Sequence, residues 1–253
     1  MPFAPTPTGN IYFSYHGARG IPIVFIHGAG SSHLIWGAQV RALGTIARAV
    51  ALDLPGHGKS SGAGRDSIAA YANDVLAFLD ARQIERAILV GHSMGGAIAQ
   101  MLALEQPARV AALALVATGA RLRVAPQILD GILNDFAGTA HLIARAQFAN
   151  ENADAFAKVK AQLRACGPNV VRGDFAACNA FDGMERVAAI RAPTLVLCGR
   201  ADALTPLKYS EYLAAKIPGA QLIVVEGAGH ALMLEKPAEV NRAVVEFVQR
   251  RVI

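Results

Sequence analysis

The sequence predicts an α/β domain: a mostly parallel sheet flanked by helices, with a helical segment inserted in its second half. Three observations point there. Short apolar runs lack clean polar alternation, as strands buried on both faces do. Longer stretches of helical period separate them, which implies parallel strands joined by crossover helices. Between about 121 and 191 the alternation stops and only helical patterns remain.

Taken in order, Ile11 to Gly17 reads as an edge strand, in a hairpin turning near Thr8-Gly9-Asn10. The compact β-type runs are 21–26, 47–52, 87–91, 112–116, 194–199 and 221–225. Ser67 is placed to cap a helix running to about Gln83, with Tyr71, Val75, Phe78 and Leu79 at helical spacing. Gly95 to Glu105 reads as a helix stopped by Pro107. Segments 206–217 and 237–250 each begin with proline, which suits a first helical turn. Inside the insertion, Ile128, Leu129, Ile132, Leu133 and Phe136 share one helix face. Phe156, Val159 and Leu163 share another. Most of these pack the insertion itself, and some face whatever lies beneath.

With 253 residues, 53% of them hydrophobic and only 17% charged, the chain can bury a large core, which excludes a disordered protein. No apolar run reaches the roughly 18 residues of a membrane span. The first residues do not form a secretory leader, so a cytoplasmic protein is expected. The net charge of +5 comes from scattered basic residues, without the aromatic stacking motifs of nucleic-acid binding, so no nucleic-acid or membrane partner is expected. Cys166, Cys178 and Cys198 are too few and too far apart for a disulfide framework or a zinc site. No metal-ligand spacing is present, and neither metal nor cofactor is expected.

The sharpest chemical signal is Gly91-His92-Ser93-Met94-Gly95, between a strand run and a helix run. A serine at the tip of such a turn has strained backbone angles, and its neighbours two positions away must lack Cβ atoms. A serine hydroxyl is a weak nucleophile and needs a base, itself oriented by an acid. Only His141 and His230 follow Ser93. His141 is in the insertion, whereas His230 follows the last strand run, so His230 is the expected base. Asp202 follows the preceding strand and is the expected acid; Asp174 and Asp182, in the insertion, are expected to be solvated or capping residues. An oxyanion hole needs two converging backbone amides. Met94, opening a helix, supplies one; Ala29, or failing it Gly28, supplies the other. His27 is expected to hold that loop by hydrogen bonding. Gly28, His92 and Trp36 are candidates for the substrate pocket, with His92 packing beside it rather than acting as a base. Gly56-His57-Gly58-Lys59-Ser60 ends like a phosphate loop, but Asp53 occupies the position where that pattern needs glycine, and a tight strand-exit loop is the reading.

His27-Gly28-Ala29-Gly30, Asp53 to Ser60, Gly91 to Gly95, Gly199-Arg200-Ala201-Asp202 and Gly227-Ala228-Gly229-His230 together resemble the α/β-hydrolase superfamily, in its order and over nearly the whole chain. The resemblance implies an eight-stranded sheet with a helical lid between strands six and seven. Residues 1–120 and 192–253 would form the core and 121–191 the lid. Within the superfamily the chain looks like the compact esterase and enol-lactonase branch. Ser93 stands where epoxide hydrolases and haloalkane dehalogenases carry aspartate. The lipase His-Gly-Gly-Gly loop is absent, and so is the longer glycine-rich loop usual in carbon–carbon hydrolases. The expected function is a serine carboxylesterase acting on small, largely apolar esters or lactones through Ser93, His230 and Asp202. The alternatives are an enol-lactonase or carbon–carbon hydrolase and, as minor ones, a slow-turnover ligand receptor or an acyltransferase. The sequence leaves open whether the insertion's Arg145, Arg164 or Arg172 reaches a substrate carboxylate, and what the oligomeric state is.

Overall fold

A computed structural model describes residues 2–251. The strands are β1 (Phe3–Thr6), β2 (Gly9–His16), β3 (Ile23–Ile26), β4 (Ala49–Leu52), β5 (Ala87–His92), β6 (Val110–Val116), β7 (Thr194–Gly199) and β8 (Gln221–Val225). They form one sheet in the order β1-β2-β4-β3-β5-β6-β7-β8. β1 and β2 pair antiparallel, as do β2 and β4; the remaining pairs are parallel. The hairpin turns at Pro7-Thr8, because Thr6 pairs with Gly9. β1 takes the outer position, so β2, expected at the edge, lies one strand inside it. β8 forms the opposite edge and is half exposed, with Ile223 open to solvent. Its apolar run therefore does not mark a strand buried on both faces, since at the sheet edge the flanking helices cover it only in part.

β3 to β7 are buried along their whole length. Successive side chains point to opposite faces, so both faces must be apolar. On one face Val24, Ile26, Leu89, Leu113 and Leu115 pack against α2 (Ile68–Ala81), α3 (Met94–Glu105) and α7 (Leu207–Lys216). On the other, Phe25, Ile88, Val90, Ala114 and Leu197 pack against α1 (Gly37–Leu43) and against Val240, Val244 and Phe247 of α9 (Pro237–Arg251), which follows the single-turn α8 (Leu232–Glu235). The Ser67 hydroxyl accepts from the Ala70 amide, giving α2 the cap its sequence calls for. α1 has no strong sequence signal. It forms because Val40 and Leu43, together with Trp36 just before it, cover Phe25 and its neighbours.

Between β6 and β7 come α4 (Pro126–Asn134), α5 (Phe136–Ala146) and α6 (Ala153–Ala180). The face read as continuous from Ile128 to Phe136 is split. Asp135 ends α4 and caps α5 by accepting from the Gly138 amide at 2.9 Å, leaving Leu133 exposed. Val159 and Leu163 are buried as their spacing suggests. α6 bends at Gly167, whose φ of 78° is followed by Pro168, a residue unable to donate into the helix. No helix among the described residues is long and apolar enough to cross a membrane.

Phe78, fully buried on α2, meets Phe13 of β2 edge-on at 5.5 Å between ring centroids. Phe78→Ala is expected to lower the unfolding free energy by about 3–5 kcal/mol, read from the urea midpoint at unchanged slope.

Candidate active site

The loops leaving the C-terminal ends of β3, β5, β7 and β8 converge at one end of the sheet, where open α/β sheets form clefts. Ser93 lies between β5 and α3 with φ 52° and ψ −116°, outside the ordinary regions for an L-residue. The surroundings hold it there. Its amide donates to Val116 O at 2.9 Å, and the Thr118 hydroxyl donates to Ser93 O at 2.8 Å. A Cβ on Gly91 would collide with the Gly95–Gly96 backbone, and one on Gly95 with the Ile26 and His27 carbonyls. Only glycine lets α3 leave so close beside β3 and β5.

His230 and Asp202 are both buried. His230 Nδ1 lies 2.9 and 3.1 Å from the two Asp202 oxygens. The carboxylate also accepts from the Leu204 and Thr205 amides at 2.9 and 2.8 Å and from the Thr205 hydroxyl at 2.8 Å. Burial alone would raise the Asp202 carboxyl, but His230 and these donors outweigh it and hold it below the usual carboxylate range. Facing a carboxylate, Nδ1 carries the ring proton, so in the neutral ring Nε2 is left as the basic atom. Thr205 was not foreseen, although a hydroxyl residue three positions beyond an orienting aspartate is a readable local signal.

The loop after β3 is fastened peptide by peptide. His27 Nδ1 donates to Gly28 O at 2.8 Å, and His27 Nε2 accepts from the Leu54 amide at 3.0 Å. His27 is thus neutral and structural, as expected. Burial, reinforced by the charge on His57, lowers its pKa to about 4. A Cβ on Gly28 would lie 3.2 Å from Ser93 Cβ, so this loop lies directly against the serine. The Ala29 and Met94 amides have no acceptor among the described residues, as expected of a helix's first amide in the case of Met94.

Asp174, expected to be solvated or capping, is instead fully buried. Its carboxylate accepts from the Gly30 amide and His57 Nε2, each at 2.8 Å, and from the Tyr71 hydroxyl. Helical periodicity gave no sign of this, because its partners come from three distant segments. His57 Nδ1 faces Pro55 O at 3.0 Å, so both ring nitrogens face acceptors and the ring is an imidazolium. Burial opposes that charge, but Asp174 overcomes it and raises the His57 pKa. The loop carrying His57 is a tight strand exit: Asp53 accepts from the Lys59 amide at 2.9 Å, and Ser60 Oγ donates to Asp53 O at 2.7 Å. Asp182 is exposed, one of the two outcomes expected of it, and accepts from the Met184 amide at 3.1 Å within a turn rather than at a helix end.

A cavity of about 290 Å³ brings together Gly28, Ala29, Ser93, His92, Thr205 and His230 from the sheet end. Leu122, Val124, Ile128, Ile143, Phe175 and Cys178 of the insertion complete it. Trp36 does not reach it. That ring is fully buried between Phe25 and His92, at 5.1 and 6.3 Å between centroids, because covering β3 takes it behind His92. His92 lines the cavity and donates from Nε2 to His230 O at 3.1 Å. Burial and the adjacent His230 push its pKa well down, consistent with a packing residue. Of the insertion's arginines, Arg145, Arg164 and Arg172 do not line the cavity, whereas Arg123, not considered from sequence, does. A larger groove of about 750 Å³ beyond Ser31 contains neither Ser93 nor His230.

Residues 23–243 match the family model described as the alpha/beta hydrolase family. The chain is 34% identical to a protein of Azorhizobium caulinodans provisionally named carbamate hydrolase RutD, over 98% of both chains. Among solved structures, a thermophilic esterase is 34% identical with TM-score 0.88, covering 98% of this chain and 96% of its own. The enol-lactonase of Burkholderia xenovorans LB400 is 25% identical with TM-score 0.91, covering 98% and 100%.

His57 binds its proton more tightly folded than unfolded, where it titrates near 6.5. The stabilisation from this pair is therefore full below pH 6.5 and is lost as pH rises through the higher folded value. The double variant His57→Gln/Asp174→Asn removes both charges. From pH 6.5 upward, the parent's advantage over it in urea unfolding is expected to shrink.

Proposed function

The chain belongs to the alpha/beta hydrolase family, and from that premise we propose that it is a serine hydrolase of small, largely apolar carboxylic esters or lactones. One observation carries the reading: a serine held at φ 52° and a histidine whose other ring nitrogen is bound to a buried carboxylate line the same cavity. In this mechanism His230 Nε2 takes the Ser93 proton as Oγ attacks the carbonyl carbon. Asp202 holds the ring's tautomer and stabilises its charged form. The Ala29 and Met94 amides donate hydrogen bonds to the developing oxyanion, and the macrodipole of α3 adds to Met94. His230 then protonates the leaving alkoxide, and the acyl-enzyme forms. Water, deprotonated by His230, attacks the acyl carbon; the proton returns to Ser93 as the acid leaves. The insertion acts as a lid that supplies the apolar wall, with residues 121–191 as the lid unit and the remainder as the core.

A second reading, an enol-lactonase or other hydrolase of anionic substrates, draws support from Arg123. Among the described residues, it is the one Asp, Glu, Lys or Arg residue on the cavity lining; it is exposed and makes no ion pair. A guanidinium there could bind a substrate carboxylate remote from the scissile bond.

Hydrolysis of a p-nitrophenyl acyl series tests the first reading. Short chains are expected to be turned over fastest, with Ser93→Ala lowering kcat by at least about 10,000-fold. No turnover above that variant would retire the general-esterase reading. For the second reading, Arg123→Gln is expected to raise KM about 10-fold for a carboxylate-bearing lactone, leaving neutral esters nearly unchanged. Equal effects on both would exclude a carboxylate site at Arg123.

A further inference from the structure

Asp174 has no part in the chemistry just described, yet it is a fully buried carboxylate 2.8 Å from the amide of Gly30, the residue after Ala29. The Gly30 N–H belongs to the Ala29–Gly30 peptide, and the neighbouring Gly28–Ala29 peptide carries the Ala29 N–H. His27 fixes the second of these planes through Gly28 O, and Asp174 fixes the first. Gly30 has φ 61°, so the chain turns sharply at this point, and its Cβ position is filled by Leu163 of α6. Asp174 is itself held from two other sides. His57, from the exit loop of β4, and Tyr71, from α2, both donate to it, and Tyr71 OH accepts from the Arg65 amide at 2.9 Å.

We infer that Asp174 is a positioning residue through which the insertion sets the oxyanion hole: by binding the Gly30 amide it orients the Ala29 amide toward the oxygen bound at Ser93. The inference rests on the hydrolase reading of Ser93 and its loop. It separates two roles for the insertion, an apolar wall that sets substrate size and a buried anchor that sets transition-state stabilisation. The anchor is remote from substrate, so its loss acts on kcat rather than on ground-state binding. Tyr71 is the internal control. It bonds the same carboxylate from the side away from the loop, so Tyr71→Phe loosens the network without removing the acceptor of the Gly30 amide.

The test compares the parent, Asp174→Ala, Asp174→Asn and Tyr71→Phe, with Ser93→Ala as blank. The readouts are kcat and KM on p-nitrophenyl acetate, affinity for a trifluoromethyl ketone, the rate of Ser93 labelling by a fluorophosphonate, and Tm. For Asp174→Ala, kcat and the labelling rate are expected to fall about 10- to 100-fold, less than for deleting an oxyanion donor outright. KM should stay within about threefold, and ketone affinity should fall in parallel with kcat/KM. Tyr71→Phe should lower Tm while keeping kcat within about threefold of the parent. Unchanged kcat and labelling in folded Asp174→Ala would overturn the inference, as would an equal loss in Tyr71→Phe. If Asp174→Ala does not fold, Asp174→Asn decides. It keeps the shape but offers one acceptor oxygen and no charge, so a labelling rate at least about threefold below the parent supports the inference and an unchanged rate overturns it. A parent that labels at Ser93 but turns over no ester retires the hydrolase reading, and the labelling rates still decide the role of Asp174. A parent that does not label overturns both.

Discussion

Holding Ser93 at φ 52° places demands on everything around it. A non-glycine residue in that conformation costs on the order of 1–3 kcal/mol and persists only where its surroundings over-determine it. Here they do so on every side. The serine amide is tied to β6 through Val116, its carbonyl accepts from Thr118, and the first turn of α3 bonds back to the same carbonyl through Gly96. Gly91 and Gly95 let strand and helix approach more closely than any side chain permits. The two faces of the sheet, packed by separate sets of alternating residues, keep β3, β5 and β6 in register so that these bonds coincide.

Around this elbow the histidines divide by what their nitrogens face. His27 faces one acceptor and one donor and is neutral. His57 faces two acceptors and is charged. His92 has a single acceptor, the carbonyl of His230, and burial keeps it neutral. The His27 and His57 rings lie 4.8 Å apart between centroids, and the charge on one helps keep the other neutral. Hydrogen-bond geometry thus assigns a different role to each of these otherwise similar side chains.

The insertion is bonded to several loops at the sheet end. Asp174 meets the loops after β3 and β4, and the segment between α5 and α6 meets the loop carrying His230. There Glu235 accepts from the Gly229 and Ala149 amides at 2.7 and 3.0 Å, and the Ala231 amide donates to Gln147 O at 2.8 Å. Both loops that flank Ser93 are therefore held partly by insertion residues. Truncating the insertion would remove loop supports as well as a cavity wall.

Much of this was legible in the chain alone, because it rests on short-range rules. The buried runs from Ile23 to Ile26 and from Thr194 to Gly199, the Ser67 cap and the glycine spacing about Ser93 each follow from the chemistry of a few neighbouring residues. So does the placing of Asp202 and His230, each just beyond a strand whose end is marked by glycine. What lies beyond that reach is decided by tertiary contact. Asp174 on α6 looks like any polar helix residue until β4's exit loop, α2 and the loop after β3 are brought to it. Trp36 has the size and polarity of a pocket residue, but the packing of α1 on β3 puts it behind His92. Arg123 becomes distinctive only because the fold leaves it beside a cavity with no other such charge among the described residues. Local sequence determines which residues can form a strand, a cap or a sharp turn. Partners a hundred residues apart determine which polar groups are buried, which are charged and which face the cavity, since the free energy of a buried polar group depends on what it meets.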